Sequence, residues 1–574
     1  MGGSELGAPD YLPKWQRTNQ FEWVDSMSFT RGTHQFKWGA DIHAPMRNIF
    51  RDIFGTRGGW VFTGQFTGVP FADWLLGYPG EVYLTNPMSV DERLWMAGFF
   101  FQDSWKATRK LAVNYGLRYD YATWPYSASN ALLNLNPATG QAITPANSPF
   151  GRSLVRPDHK DWGPRVGLAY QASANWVLRA GYGRFYQLYE REGSEDMLAL
   201  NLPYLVNNVV SSGTNTATAN NMRVATGFNL SLNPATVSRY SVDSRTANPQ
   251  DVMPSVDQWS AGFQRMLPSN MVLTLDYVGT KGTHLSLLEN GNENTFNPNG
   301  TPTGYAPWAA DGWGLIEYRD NGGNSTYHSL QATLEKATSR GLTLHLAYTY
   351  SHLIDEEHDN LYGGDSPSFV EDKYNIKGTE RGNSDLDNRH RLAAGYVYKI
   401  PMIPSLSAGS TGGAARVLSQ VVRDWRIGGM TTYRTGGPFT VLADQIDSLV
   451  EGPYSGLISV QGDCLGNGAL SRSARNRVQW FNPSDYALQN PVGIGTCGRN
   501  TLFGPPLTQF DFSIARSFRF GELRRLEARW DILNAFNTTH FGYPDSEVTD
   551  STFGTITSLA GDPREMQFAL KFYF

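Results

Sequence analysis

The stretch Glu565-Met566-Gln567-Phe568-Ala569-Leu570-Lys571-Phe572-Tyr573-Phe574 changes chemistry at every step. Met566, Phe568, Leu570, Phe572 and Phe574 are large and apolar, while Glu565, Gln567, Ala569, Lys571 and Tyr573 between them are polar, small or amphipathic. A strand sends successive side chains to opposite faces, so this stretch presents one apolar and one wet face. The same alternation runs upstream, where Leu526, Ala528, Trp530 and Ile532 are interleaved with Arg525, Glu527, Arg529 and Asp531. A helix would bring Arg525 and Arg529 onto one side and scatter the apolar residues round its axis. Both segments are therefore read as strands.

The pattern recurs along the chain. Leu342, Leu344, Leu346, Tyr348 and Tyr350 oppose Thr343, His345 and Thr349, and Leu111, Val113, Tyr115, Leu117 and Tyr119 oppose Asn114, Arg118 and Asp120. Weaker versions run from Trp176 to Tyr182, Met271 to Tyr277, Leu392 to Ile400 and Phe510 to Ile514. Aromatic residues gather at strand ends (Tyr119 with Tyr121, Tyr348 with Tyr350, Phe572 with Phe574), as at the two interfaces of a membrane barrel. The links alternate in length. Thr30-Arg31-Gly32-Thr33, Lys106 to Lys110, Gln171 to Asn175, Leu267-Pro268-Ser269-Asn270, Thr338-Ser339-Arg340-Gly341 and Phe520-Gly521-Glu522 are tight. Between them lie loops of about 30–70 residues rich in Asn, Gly, Ser, Thr and Pro, including Gly436 to about Leu507 and the link around Ser551.

This reading yields an all-β fold, a transmembrane antiparallel up-and-down β-barrel with about fifteen strands from near Thr18 to Phe574. It predicts one antiparallel meander, with Phe568, Leu570 and Phe572 facing lipid and Gln567 and Lys571 facing inward. An odd count whose last strand descends also predicts that the first strand descends, so that the chain begins inside a barrel and shows a gap or a strained closure between the strand at Phe21 to Phe29 and the one ending at Phe574.

Composition narrows the function. A net charge of -5 gives no basic excess to neutralise phosphates, which excludes nucleic acid as a partner. Two cysteines, Cys464 and Cys497, are too few for a disulfide framework, although one bridge in an exposed loop fits an oxidising compartment. There is no apolar run of about eighteen residues for a membrane helix. A mean hydropathy of -0.39 suits a barrel as well as a soluble protein, since spanning strands average apolar with polar positions. The first residues, Met1-Gly2-Gly3-Ser4-Glu5-Leu6, carry neither the basic nor the apolar region of a signal peptide.

Several phrases resemble a known family. They are Phe66-Thr67-Gly68-Val69-Pro70-Phe71-Ala72-Asp73-Trp74-Leu75-Leu76-Gly77-Tyr78-Pro79, Phe99-Phe100-Phe101-Gln102-Asp103-Ser104-Trp105-Lys106 and Asn114-Tyr115-Gly116-Leu117-Arg118-Tyr119-Asp120. Further along come Pro164-Arg165-Val166-Gly167-Leu168-Ala169-Tyr170, Ser384-Asp385-Leu386-Asp387-Asn388-Arg389-His390-Arg391 and Glu527-Ala528-Arg529-Trp530-Asp531-Ile532-Leu533-Asn534-Ala535-Phe536-Asn537. Together they resemble the Oar-like TonB-dependent outer-membrane receptors over nearly the whole chain. The resemblance implies a plugged barrel of roughly 22 strands, of which residues 1–574 would be the last part, lacking the N-terminal strands and plug. It implies a Gram-negative outer membrane, partnership with its lipid, with the TonB complex in the full-length protein and with an unknown extracellular ligand, and ligand uptake as the activity. It also implies that terminal Phe574 is presented to the assembly machinery. A structural or adhesive barrel without energised import is the alternative, and a soluble all-β enzyme or carbohydrate-binding protein is a third reading that the lipid-facing alternation disfavours.

Other residues invite chemistry. His352-Leu353-Ile354-Asp355-Glu356-Glu357-His358-Asp359 is the densest set of potential metal ligands, but its spacing matches no zinc motif and a solvated acidic loop accounts for it. Glu190, Glu192 and Glu195 suggest paired carboxylates, yet they follow a strand end in a long loop. Gly181-Tyr182-Gly183 lacks the third glycine and helix of a dinucleotide site. The row Arg525, Glu527, Arg529 and Asp531 reads as a lumen wall with charges paired across strands. Trp308 and Trp313 could stack on flat ligands, though packing against other loop residues is favoured. The expectation is a non-enzyme with no catalytic, cofactor-binding or metal-ligating residue and no cofactor.

Overall fold

The computed structural model describes residues 6–8, 12–50, 55–187, 197–212, 216–242, 244–299, 301, 303–304, 306–339, 341–356, 369–401, 425–443, 460–488, 493–520 and 524–574. Fifteen long strands form its wall: β1 (Trp15–Arg31), β2 (His34–Phe50), β3 (Met96–Trp105), β4 (Leu111–Ala122), β5 (Trp162–Ser173), β6 (Trp176–Tyr186), β7 (Ser255–Leu267) and β8 (Met271–Asn290). They continue as β9 (Ile316–Ser339), β10 (Leu342–Asp355), β11 (His390–Lys399), β12 (Trp425–Arg434), β13 (Leu507–Phe520), β14 (Arg524–Leu533) and β15 (Glu565–Tyr573). Each pairs antiparallel with its neighbour in chain order, from β1 with β2 through to β14 with β15. The period-two segments are the strands of this meander.

Register fixes the faces, because directly opposed residues share a side. Phe568 lies opposite Trp530, Leu570 opposite Ala528 and Phe572 opposite Leu526, while Gln567 meets Asp531 and Lys571 meets Glu527 on the other face. The Trp530 and Phe568 rings stack with centroids 5.6 Å apart. Phe568, Leu570 and Phe572 are 75%, 70% and 53% exposed on the protein itself, a burden that hydrocarbon relieves and water would not. Leu570→Arg, at mid-strand, is expected to cost about 2–4 kcal/mol of barrel stability in a bilayer, while Gln567→Arg on the wet face is tolerated. Urea titration of the folded protein in lipid vesicles checks this; equal losses at the two positions would show that the faces are misassigned.

The tight ends obey local turn chemistry. Ser269 and Asn270 both take positive φ in the β7–β8 link, and Gly341 takes φ 82° between β9 and β10. A Cβ at Gly341 would stand 2.4 Å from the Lys399 carbonyl oxygen, so only glycine fits there. One link departs from the sorting: residues 400–424 join β11 to β12 on the tight-turn side, and 402–424 lie outside the described residues.

Among the described residues no ladder joins β1 to β15, so the sheet has two free edges and is not closed. The expectation of purely antiparallel pairing is corrected in the long links, where Leu442 and Glu547 form an isolated parallel bridge and one short strand pairs parallel with the wall. Ser244–Ala247, in the link between β6 and β7, pairs parallel with Ile316–Arg319 at the start of β9. A long link can return on itself beyond the wall, where hairpin geometry no longer dictates direction. On the same side, the long links fold into bodies with their own apolar cores. The largest contains Leu94, Trp124, Leu132, Leu154, Leu200 and Met253. A short helix, α1 (Pro70–Leu76), ends on Gly77 in the left-handed conformation, and no described helix is long and apolar enough to cross a membrane.

Candidate functional site on the long-loop face

Strands β8 and β9 run 20 and 24 residues, against the roughly 9–11 that a tilted spanning strand needs, so their far halves rise past the membrane. At the top of β8, Glu289 is followed by Glu293 in the next link. Segment 369–380, from the link between β10 and β11, docks here. The Val370 N–H donates to the Leu288 carbonyl at 3.0 Å, and the Lys373 N–H donates to the Glu293 carboxylate at 3.0 Å. Lys373 Nζ reaches the Gly291 carbonyl at 2.5 Å.

The other flank of the segment faces the link between β12 and β13. Glu371 is 2% exposed and takes two backbone donors from that link, Gly495 N–H at 2.9 Å and Gln461 N–H at 3.2 Å, both on Oε1. Its own N–H donates to Glu380 Oε1 at 2.7 Å. Arg499, fully buried, donates from Nε to the Glu380 carbonyl at 2.6 Å and pairs with Asp355 at the end of β10. A cavity of about 740 Å³ opens at this three-way junction, lined by Phe296, Asn297, Asp372, Tyr374, Asn375 and Thr496 among others.

Burial dominates the electrostatics. Loss of water lifts the Glu371 carboxyl well above the usual carboxylate range, with Glu380 and Asp372 adding like charge against its two backbone donors. Burial likewise pushes Glu380 up to about 7, Glu289 to about 8 and Glu293 to about 9, while it lowers the ammonium of Lys373 beside them. At neutral pH Glu289, Glu293 and Glu371 are therefore largely neutral, while Glu380 sits near its midpoint. Among the described residues no group of three or more His, Cys, Asp or Glu is placed to hold a metal ion.

The residues singled out from the sequence fall as follows. His352 Nε2 lies 3.1 Å from Asn383 Oδ1, Asp355 pairs with Arg499, and Glu356 accepts from Asn324 at 3.0 Å. These are structural contacts, while Glu357, His358 and Asp359 lie outside the described residues, as do Glu190, Glu192 and Glu195. Gly181 to Gly183 lie inside β6, paired on both sides, so no phosphate loop exists there. Trp308 and Trp313, 5% and 7% exposed, pack with Leu135 and Ile316, in line with the packing reading. In the charged row, Glu527 pairs across strands with Arg426 at 2.5 Å, but Arg529 pairs along its own strand with Asp531 at 2.8 Å, which corrects the expected cross-strand pattern there. Arg525 instead covers the Tyr573 ring at 4.1 Å.

Cys464 and Cys497 are joined across a sequence separation of 33. They sit against Val441, Phe481, Tyr486 and Leu502 in the core of the β12–β13 link. Replacing both by Ser is expected to cost this link about 2–4 kcal/mol through the freedom returned to its unfolded state. Faster proteolysis confined to this link, with unchanged heat-modifiable mobility of the wall, is the expected readout; an unchanged cleavage rate would count against it.

The acidic junction was not singled out from sequence. Phe369-Val370-Glu371-Asp372-Lys373-Tyr374 looks like any charged loop, and only its apolar pair Phe369-Val370, both buried, hints that the segment turns inward.

A family model described as an outer membrane beta barrel domain matches residues 1–567. No curated protein matches the sequence. Solved structures similar to this chain include the outer membrane transporter YddB from Escherichia coli (12% identity, TM-score 0.47, covering 98% of this chain and 54% of that one). Others are the siderophore receptor PirA from Acinetobacter baumannii (11%, 0.45, 98% and 55%) and the ferripyoverdine receptor of the outer membrane of Pseudomonas aeruginosa (11%, 0.43, 100% and 51%). The chain thus spans about half the length of these structures.

Proposed function

Because this chain belongs to the outer membrane beta barrel domain family, we propose that it supplies the wall and outer loop layer of a TonB-dependent import receptor, of the Oar-like kind. Its place is the outer membrane, with lipid against Phe568, Leu570, Phe572 and their neighbours. The observation that carries the reading is the segregation of the links. Seven of the eight long links lie on one side, all but 400–424, and several of the seven fold into cored bodies, which suits a surface that captures a ligand, whereas a passive wall needs only short turns on both sides. Residues 1–574 act on this reading as one barrel domain. Ion pairs such as Arg426–Glu527 and Arg118–Asp120 on the wet face of the wall offer a charged lining against which a plug can seat. Ligand, TonB and plug are parts of the proposal.

The test uses cells carrying the full-length protein, with and without a functional tonB gene, grown on a panel of single limiting nutrients. Growth on at least one nutrient that needs both the protein and TonB is expected. Surface adhesion or altered envelope integrity with no TonB-dependent growth would replace import by the structural or adhesive reading.

A further inference from the structure

We propose that segment 369–380 is a proton-dependent latch, which holds the loop carrying Gly291 and Glu293 to the loop carrying Gln461 and Gly495 when its buried glutamates are neutral and releases them when these ionise. The proposal is independent of what the barrel imports.

The geometry comes first. The segment touches one neighbouring loop through Lys373 N–H on Glu293 and Nζ on the Gly291 carbonyl, and the other through Gly495 and Gln461 N–H on Glu371. Glu380 accepts the Glu371 N–H and so closes the segment on itself. Glu371 and Glu293 therefore lie at the contacts between loops, with Glu380 inside the segment and Glu289 at the end of β8 beside Lys373. Among the described residues, Glu371 faces Glu380 and Asp372; Glu380 faces Glu371, Asp372 and Arg499; Glu293 faces Lys373, Asp372 and Glu289; and Glu289 faces Asp320, Lys373, Glu293 and the phenol of Tyr318 opposite it on β9. Two cations, Lys373 and Arg499, stand against six carboxyls, and Arg499 is already paired with Asp355. Full ionisation would leave uncompensated negative charge on Glu371, Glu293, Glu380 and Glu289, each of which is itself buried, at a large desolvation cost.

The sign follows from linkage. In the closed state these carboxyls titrate at about 7 (Glu380), 8 (Glu289) and 9 (Glu293), above the ordinary value of 4.5 that they regain when the loops open. A raised acid binds its proton more tightly in the closed state. The stabilisation is therefore complete below pH 4.5, falls through the interval above it, and is gone once pH passes the closed-state values near 9. Within that interval each such group weakens closure by about tenfold per pH unit. Acid keeps the loops latched and alkali frees them.

Hydrogen exchange on the full-length protein in lipid nanodiscs, corrected for intrinsic rates, reads the latch directly at the amides of Glu371, Lys373, Gln461 and Gly495. Protection there is expected to fall at least about tenfold between pH 5.5 and pH 9 and to return on reacidification, with the amides of β13 and β14 unchanged. Glu→Gln mimics the neutral acid, so Glu293→Gln with Glu371→Gln and Glu380→Gln should keep protection at pH 9. If the triple variant fails to give the heat-modifiable folded band, Glu371→Gln alone must still retain more protection at pH 9 than the wild type. A wild type whose latch amides do not respond to pH, or Gln variants that lose protection as the wild type does, would overturn the proposal.

Discussion

Residues 1–574 delivered alone to a bilayer are expected to insert poorly, or to leak ions where they insert. The reason is the pair of free edges. Among the described residues, strand β1 pairs only with β2 and β15 only with β14, and every residue of β1 is exposed. Along an antiparallel edge, alternate residues turn both N–H and C=O outward, so a span of roughly ten residues exposes on the order of ten polar groups. Each costs several kcal/mol in hydrocarbon, a sum of tens of kcal/mol against a folding stability of about 5–15 kcal/mol. The lipid-facing residues of the other strands do not offset that. Only pairing does, with each other through a strained closure or with further strands. Single-channel conductance and the yield of heat-modifiable protein, measured with and without added strands able to pair with β1, decide the matter. A high yield of silent, folded protein from residues 1–574 alone would show that β1 and β15 seal against each other without help.

How much of this was legible in the sequence depends on which interactions decide each part. The wall was, because one rule governs it. In a strand with lipid on one side and water on the other, a one-residue slip would drive Lys571 and Glu527 into hydrocarbon, so alternation and register are forced together. Fifteen strands and their faces follow from that single constraint. The loop layer obeys no such rule. Glu371 and Glu380 are spelled like solvated loop carboxylates, and only the approach of Gly495 and Gln461, more than eighty residues downstream, makes them interior groups. Trp308 is the opposite case. Loop aromatics tend to pack against one another, which made packing the better reading from sequence, and Leu135 from a different loop supplies a further contact. The pairing of Cys464 with Cys497 needed no geometry to be conceivable, since they are the two cysteines of the chain, but only the fold places them on facing backbone segments. The parallel strand Ser244–Ala247 was beyond reach, because four residues in a long link carry no periodicity.

That parallel strand carries the second large effect. Arg245 on it and Glu317 at the start of β9 form a two-pronged pair, Nε to Oε2 at 3.1 Å and Nη2 to Oε1 at 3.2 Å, with side chains 9% and 10% exposed. The backbone around Arg245 is held on its other edge by Asn201, whose Oδ1 accepts the Arg245 N–H at 2.7 Å and whose Nδ2 donates to the Arg245 carbonyl at 2.7 Å. Asn134 does the same two residues along, accepting from the Ala247 N–H and the Thr246 hydroxyl and donating to the Ala247 carbonyl. Glu317→Ala removes the carboxylate that Arg245 is built against and is expected to destabilise this loop body by about 3–5 kcal/mol. The double change Arg245→Met with Glu317→Leu removes both charges at once and should recover most of that loss, because two apolar side chains of similar size carry no desolvation penalty. Hydrogen exchange at the Asn248 amide, which donates to the Arg319 carbonyl at 2.9 Å beside the pair, reports the effect locally while the wall amides stay protected. A double variant as unprotected as Glu317→Ala would mean that the pair contributes specific attraction well beyond mutual neutralisation, and that the parallel strand owes its place to this one ion pair rather than to the asparagine clamps.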